Sequence, residues 1–433
     1  MHLLATLAAA LIMATNPDIE YSGRIDFSKP EAPQFSYSGV SIRATVDAEK
    51  AGVVLNDEKG ENYFAVIVDN VYTGKLKPNK GKGTYTIAEF GKKSVHEIEI
   101  VKISELEFGK TTFLGFDLGT DGTIIPMRDK RELTIEFIGN SITCGYGNEG
   151  RLGERFGAST ENHYMTYAAI TARSFNARPL VASRSGIGIY RNYAGPSEGN
   201  ADCMSNNYDR VFLYEAKPKF DFRQKPDLVC INLGTNDFST PGVDTAKFID
   251  RYLYLISQIQ TNYTNPEIVC LIGPMLGGDE LALERQCVQA VVSRANAANK
   301  GRVHFFELSE QNQKDGLGID WHPTVHQHIK NARELIGYIS KLKEWTVVPQ
   351  IVMAKAGGNQ IKLYANDAKC LFNQSLVTMR ISADGTPVKA TDWQINEVDA
   401  VMTITLEKDI SQCQNIELQP DSAQKIIRCV VDK

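Results

Sequence analysis

Cysteine is too sparse here to frame a disulfide-rich fold: there are eight in 433 residues, and no CxxC pair of the kind that holds zinc or runs thiol redox chemistry. Cys230 and Cys270 lie inside apolar runs and read as buried free thiols. Cys370, Cys413 and Cys429 lie closer to the C-terminus and admit one disulfide if the chain is exported. A basic stripe is also missing. The formal net charge is -5 and the pI is about 5.9, so nothing matches a phosphate backbone and nucleic acid is excluded as an expected partner. The lysines at 75, 77, 80 and 82 stand among Gly, Pro and Asn and read as a solvated hairpin tip. Long apolar runs are absent beyond Leu3 to Ala14, which is too short to span a bilayer, so no transmembrane anchor is expected. That run has the length of a signal-peptide core. Residues 1–16 therefore read as a signal peptide and the protein as secreted or periplasmic, although no Lys or Arg precedes the run.

What is present is the composition of a soluble globular protein, 42% hydrophobic and 23% charged, with a length that calls for more than one hydrophobic core. From 17 to 127 the pattern has period two. Ile42, Ala44 and Val46 alternate with Arg43, Thr45 and Asp47, and Ile98 and Ile100 alternate with Glu97 and Glu99. This predicts a β-sandwich of jelly-roll type. From 128 to 345 short apolar runs (133–138, 180–182, 228–233, 268–272, 303–308) alternate with amphipathic segments at about 162–175, 245–262, 280–298 and 324–343. Such alternation predicts an α/β unit with a parallel sheet covered on both faces and a site at the carboxyl ends of its strands. From 346 to 433 polar and apolar residues alternate again, as in Met402-Thr403-Ile404-Thr405-Leu406, and predict a small third β domain without catalytic residue types.

Three blocks directly follow or close the apolar runs where a parallel-sheet enzyme works. Gly139-Asn140-Ser141 puts a hydroxyl at a strand end among backbone N–H groups, which suits a nucleophile facing a developing oxyanion; the same position also suits a helix N-cap. Gly234-Thr235-Asn236-Asp237 offers an Asn amide able to donate to an oxyanion, or an ordinary Asx turn. Asp320-Trp321-His322-Pro323 supplies a base of near-neutral pKa. His326 and His328 fall within the final helix, whereas His322 precedes it on a loop, where a site opens.

With Ser185-Gly186-Ile187-Gly188, these blocks in this order resemble the SGNH hydrolase superfamily. The stretches Gly23 to Ser28, Thr112 to Phe116, Phe137 to Gly147 and Ile189 to Tyr193 resemble carbohydrate esterase family two, over about residues 20–343. The resemblance implies a flavodoxin-like SGNH domain behind a jelly roll, and a serine esterase that removes O-acetyl groups from polysaccharides or oligosaccharides with no cofactor or metal. It assigns Ser141 as nucleophile, His322 as base, and the Ser141 N–H, Gly186 N–H and Asn236 side chain as oxyanion donors, with Gly188 as the alternative glycine. Trp321 and Tyr190 are expected to face the sugar.

Two positions depart from the pattern. Asn140 stands where the superfamily has Asp, which leaves the hydroxyl in place. Asp320 lies two residues before the base rather than three. Asp320 is expected to orient His322, since a carboxylate also stabilises an imidazolium; a backbone carbonyl is the alternative. Rival readings are an inactive carbohydrate-binding protein on the same scaffold, and a lipase or thioesterase.

Overall fold

The computed structural model describes residues 11–127, 131–299, 301–372, 376, 378–420 and 427–431. Its first unit is a ten-stranded β assembly built on two long antiparallel strands, Ser41–Asp57 and Gly81–Lys102, paired from Ser41 opposite Val101 to Asn56 opposite Lys82 with register shifts between Ala48 and Lys50 and between Ala51 and Gly52. Ile42, Ala44 and Val46 are buried as the period-two pattern requires, but so is Arg43 on the opposite face. Arg43 survives burial because it is ion-paired with Glu97 and Glu20, which offsets its desolvation. Residues 1–10 of the expected signal peptide lie outside the described residues. Leu11–Met13 is a strand paired with Thr111–Asp117, so part of that apolar run belongs to this sheet.

The second unit carries a five-stranded, wholly parallel sheet in the order Arg178–Ser183, Thr134–Gly139, Leu228–Asn232, Glu267–Ile272, Val303–Glu307, the flavodoxin-like order. Period two decides which core each strand residue enters. Ile135, Phe137, Leu228, Cys230, Val269 and Leu271 pack with the helices Tyr167–Ser174 and Val325–Lys343. Ile138, Val229, Ile231, Ile268 and Cys270 pack with Thr245–Asn262 and Gly278–Asn299. The helix expected over 162–175 begins only at Tyr167, where Thr166 caps it by accepting from the Ala169 N–H; the preceding His163–Met165 is a 3₁₀ turn.

The third unit pairs a five-stranded with a four-stranded sheet around Ile361, Leu363, Ile381, Met402, Ile404 and Leu418. All eight cysteines are free thiols, so Cys370, Cys413 and Cys429 form no disulfide. No helix among the described residues is long and apolar enough to cross a membrane.

The first two units are joined by a buried ion pair. Arg24 Nη2 lies 3.0 Å from Glu136 Oε1, with both side chains at most 1% exposed. Tyr208 donates to Glu136 Oε2 at 2.7 Å, and Arg24 donates to the carbonyls of Tyr208 and Arg210. Removing one partner leaves a buried charge without its complement. Arg24→Ala is expected to cost about 3–5 kcal/mol of unfolding free energy, read as a lower midpoint in urea; an unchanged midpoint would mean the pair is not what holds this interface.

Candidate active site

The nucleophile is built by a turn that only glycine permits. A Cβ on Gly139 would stand 2.0 Å from Thr143 Oγ1, so the strand Thr134–Gly139 can turn directly into the short helix Ser141–Cys144. Asn140 Oδ1 accepts from the Ile142 N–H at 3.0 Å and caps that helix. Asn140 is fully buried, where a carboxylate would need desolvating, so an uncharged cap is the cheaper group there.

The base is held by the loop that follows the nucleophile. A Cβ on Gly147 would meet Ile319 Cβ at 2.6 Å, and Ile319 donates its N–H to Gly147 O at 3.2 Å. On this support Asp320 and Trp321 take left-handed backbone angles, with φ of 49° and 65°. They turn His322 so that its Nε2 lies 2.8 Å from Ser141 Oγ. Its Nδ1 lies 3.1 Å from both Ile319 O and Asp320 O. Carbonyls only accept, so Nδ1 carries the proton and Nε2 presents its lone pair to the serine, the tautomer a general base needs. Burial pushes the His322 pKa below the usual histidine value, against the two carbonyls and the Asp320 charge, which raise it.

The expectation for Asp320 is corrected by this geometry: its carboxylate does not contact the imidazole. The left-handed backbone turns its carbonyl toward the ring and its side chain away, where Oδ2 accepts from Tyr146 OH at 2.8 Å. Tyr146 lies against His322, with ring centroids 4.3 Å apart, and stacks on Phe156 at 3.6 Å. Asp320 therefore meets the imidazole through its backbone carbonyl, while its carboxylate holds the Tyr146 ring that lies against it. Asp320→Asn keeps a residue tolerant of positive φ and an acceptor for Tyr146, so its kcat on p-nitrophenyl acetate is expected to fall less than about tenfold, or ~1.4 kcal/mol. A loss near 10⁴, the scale seen when a triad Asp is amidated, would restore the carboxylate to the relay.

The oxyanion side comes from the two remaining blocks. Gly186 has φ +77°, and a Cβ there would meet only Tyr193 Cβ, at 3.9 Å. Gly188 is more closely held: its N–H donates to Asn192 Oδ1 at 3.1 Å, and a Cβ there would lie 1.9 Å from Arg191 O. Of the two glycines, Gly188 therefore has its amide engaged within the loop. Asn236 donates one amide proton to Ile187 O at 2.8 Å, which ties it to the glycine block. Asp237 accepts from the N–H groups of Ile189, Tyr190 and Arg191 at 2.9–3.0 Å; burial pushes its pKa up to about 6 against those three donors. From the first unit, Glu105 accepts the Ser185 N–H at 2.8 Å, so the β assembly also fixes the residue before Gly186.

Among the described residues one group of possible metal ligands comes together, Glu105, Cys144 and Glu161, all buried. Lys102 lies beside this group: its amine donates to the backbone carbonyls of Ser104 and Glu105 at 2.7 and 3.0 Å, and burial lowers its pKa to about 8.

The aromatic residues divide differently from expectation. Trp321, beside the base, is 56% exposed and free to stack. Tyr190 is buried in the core, its hydroxyl accepting from the Asp244 N–H at 2.7 Å, so it does not face the cleft. Tyr193 does. It is 65% exposed and donates its N–H to Gly186 O at 2.9 Å. His326 packs edge-on against Tyr364, and His328 is buried, accepting from the Tyr167 N–H, its pKa pushed by burial to about 3.

Residues 21–127 match the carbohydrate esterase 2 N-terminal family and 137–328 match the GDSL-like lipase/acylhydrolase family. The cellulase/esterase CelE of Acetivibrio thermocellus is 38% identical over 332 residues, which are 76% of this chain and 40% of that protein. The chain therefore spans about two fifths of the length of CelE. An acetylxylan esterase / glucomannan deacetylase of Cellvibrio japonicus is 27% identical over 339 residues, covering 77% of this chain and 91% of that one. Among solved structures, a family two carbohydrate esterase from Clostridium thermocellum in complex with cellohexaose is 38% identical, with a TM-score of 0.71, covering 76% of this chain and 99% of the other.

Proposed function

This chain belongs to carbohydrate esterase family two, and from that premise we propose that it is a serine esterase that removes O-acetyl groups from plant-type polysaccharides or oligosaccharides. The observation that carries the reading is the 2.8 Å contact between Ser141 Oγ and a His322 whose other nitrogen is held by two carbonyls. A hydroxyl facing a neutral imidazole in that tautomer can transfer its proton as it attacks. Ser141 Oγ adds to the acetyl carbonyl while Nε2 takes the proton. The oxyanion is stabilised by the N–H groups of Ser141 and Gly186 and by the second amide proton of Asn236. Collapse of the tetrahedral intermediate expels the sugar alkoxide, which takes the proton from His322. Water, deprotonated by the same nitrogen, then releases acetate and restores Ser141.

Two exposed aromatic rings stand beside the reacting pair, Trp321 next to the base and Tyr193 next to Gly186, and give a sugar ring apolar faces to lie on. The deciding experiment incubates the purified protein with acetylated xylan, acetylated glucomannan and chitin oligomers and follows acetate by NMR. Release from a glycan by the wild type and its loss in Ser141→Ala is the expected result. Saturable glycan binding without acetate release would replace the esterase with a binding protein.

A further inference from the structure

All three units line a partly open cavity of about 570 Å³ that does not include Ser141: Tyr72 and Glu99 come from the first, Arg131, Tyr164 and Arg173 from the second, and Gln350 from the chain entering the third. Its volume is that of a small-ligand site, and its lining carries an unbalanced charge. Arg131 is committed to Glu99, with two contacts at 2.9 and 2.6 Å, and Arg428 is committed to Glu417 at 3.2 Å. Arg173 has no carboxylate partner among the described residues. One nitrogen donates to Tyr164 O at 2.7 Å, and its guanidinium lies 3.7 Å over the Tyr164 ring. Tyr72 also stacks on the Tyr164 ring, centroids 5.6 Å apart. Tyr164 holds the guanidinium in place, and among the described residues its other N–H groups meet no carboxylate. Burial lowers the Arg173 pKa, against the opposing pull of Tyr164 and of the Glu99 charge.

A half-buried, pre-positioned arginine presents paired N–H groups that match a carboxylate bidentately. The surrounding rings and the Gln350 amide offer an apolar face and a hydrogen-bonding group, the combination that suits a hydroxylated ring. We propose that this cavity is a second binding site, for the carboxylate-bearing ring of a hexuronate, and that the third unit serves to close it. The chemistry is shared by a free hexuronate and by one carried on a glycan chain.

Isothermal titration calorimetry on the full chain tests this with glucuronate, a glucuronate-bearing xylo-oligosaccharide, glucose and inorganic phosphate. Saturable glucuronate binding at least tenfold tighter than that of glucose or phosphate is expected, and it should persist in Ser141→Ala. The oligosaccharide binding more tightly than free glucuronate would assign the site to glycan-borne acid, and equal or weaker binding would assign it to the free sugar. Arg173→Met keeps the stem over Tyr164 and should weaken glucuronate binding at least tenfold. Gln350→Glu, which leaves Arg173 untouched and adds a repelling charge, should weaken it similarly. Phosphate binding as tightly as glucuronate, equal affinity for glucose, affinity unchanged in both variants, or no saturable binding would each overturn the proposal.

Discussion

Ser141→Ala is expected to lower kcat for acetate release by about 10³ or more, with the folded state intact. Both halves of that expectation come from the same few atoms. The hydroxyl's partner is His322 Nε2 at 2.8 Å, so its loss removes the attacking atom and leaves the base with nothing to deprotonate. What remains is transition-state stabilisation by the amide donors, which in triad enzymes still accelerates hydrolysis well above water but far below the intact enzyme. Folding is spared because Ser141 opens a helix whose cap is the neighbouring Asn140 side chain, and alanine is the best helix former. Steady-state turnover on p-nitrophenyl acetate, read beside a thermal melt, checks both. Near wild-type turnover would take Ser141 out of the chemistry, and a melt lowered in step with the rate would make the loss structural.

The parts of this molecule that could be read in advance are those governed by local period. Strands of the parallel sheet are buried on both faces, so they stand out as short continuous apolar runs, and each of the five begins and ends within about two residues of its run. The helix Thr245–Asn262 matches its segment because Asp244 caps it and Phe248, Tyr252, Leu255, Ile256 and Ile259 recur at helical spacing. Ser141 and His322, which the fold brings within 2.8 Å, could be picked as candidates because each is a reactive side chain in a turn beside such an element, which is where this architecture opens.

What could not be read depends on backbone angles or on distant partners. Whether Asp320 or a carbonyl orients the base is decided by a φ of 49°, and the two-residue spacing carries no trace of that angle. Tyr190 and Tyr193 differ only in which way an irregular loop points them, and no period runs through such a loop. The signal for Tyr193 is its backbone bond to Gly186 O, a contact visible only in three dimensions. Arg24 likewise sits in a stretch that resembles the family, but its role rests on Glu136, over a hundred residues away.

His322→Ala is the second large loss, expected to match Ser141→Ala, and its pH profile separates the base from its neighbours. Only neutral imidazole can accept the serine proton, so activity falls as pH drops through the His322 pKa. Burial lowers that pKa by disfavouring the cation. The sign follows: the rising limb of kcat/KM lies below about pH 6.5, the ordinary histidine value, and activity stays level above it. The carbonyls of Ile319 and Asp320 and the Asp320 charge oppose the shift, favouring the imidazolium formed during attack. Removing that charge in Asp320→Asn should therefore move the limb slightly further toward acid, with little loss of rate. Residual activity in His322→Ala should lack the limb altogether. His326→Ala, which removes only an edge contact with Tyr364, should leave rate and profile unchanged. His328→Ala opens a cavity in the core behind Tyr167, so it should lower the melting temperature while the surviving folded enzyme keeps the wild-type limb. An essential His326 with a dispensable His322 would reverse the assignment: a ring held by two carbonyls with its free nitrogen on Ser141 would then have to be idle, while one packed against the third unit did the chemistry.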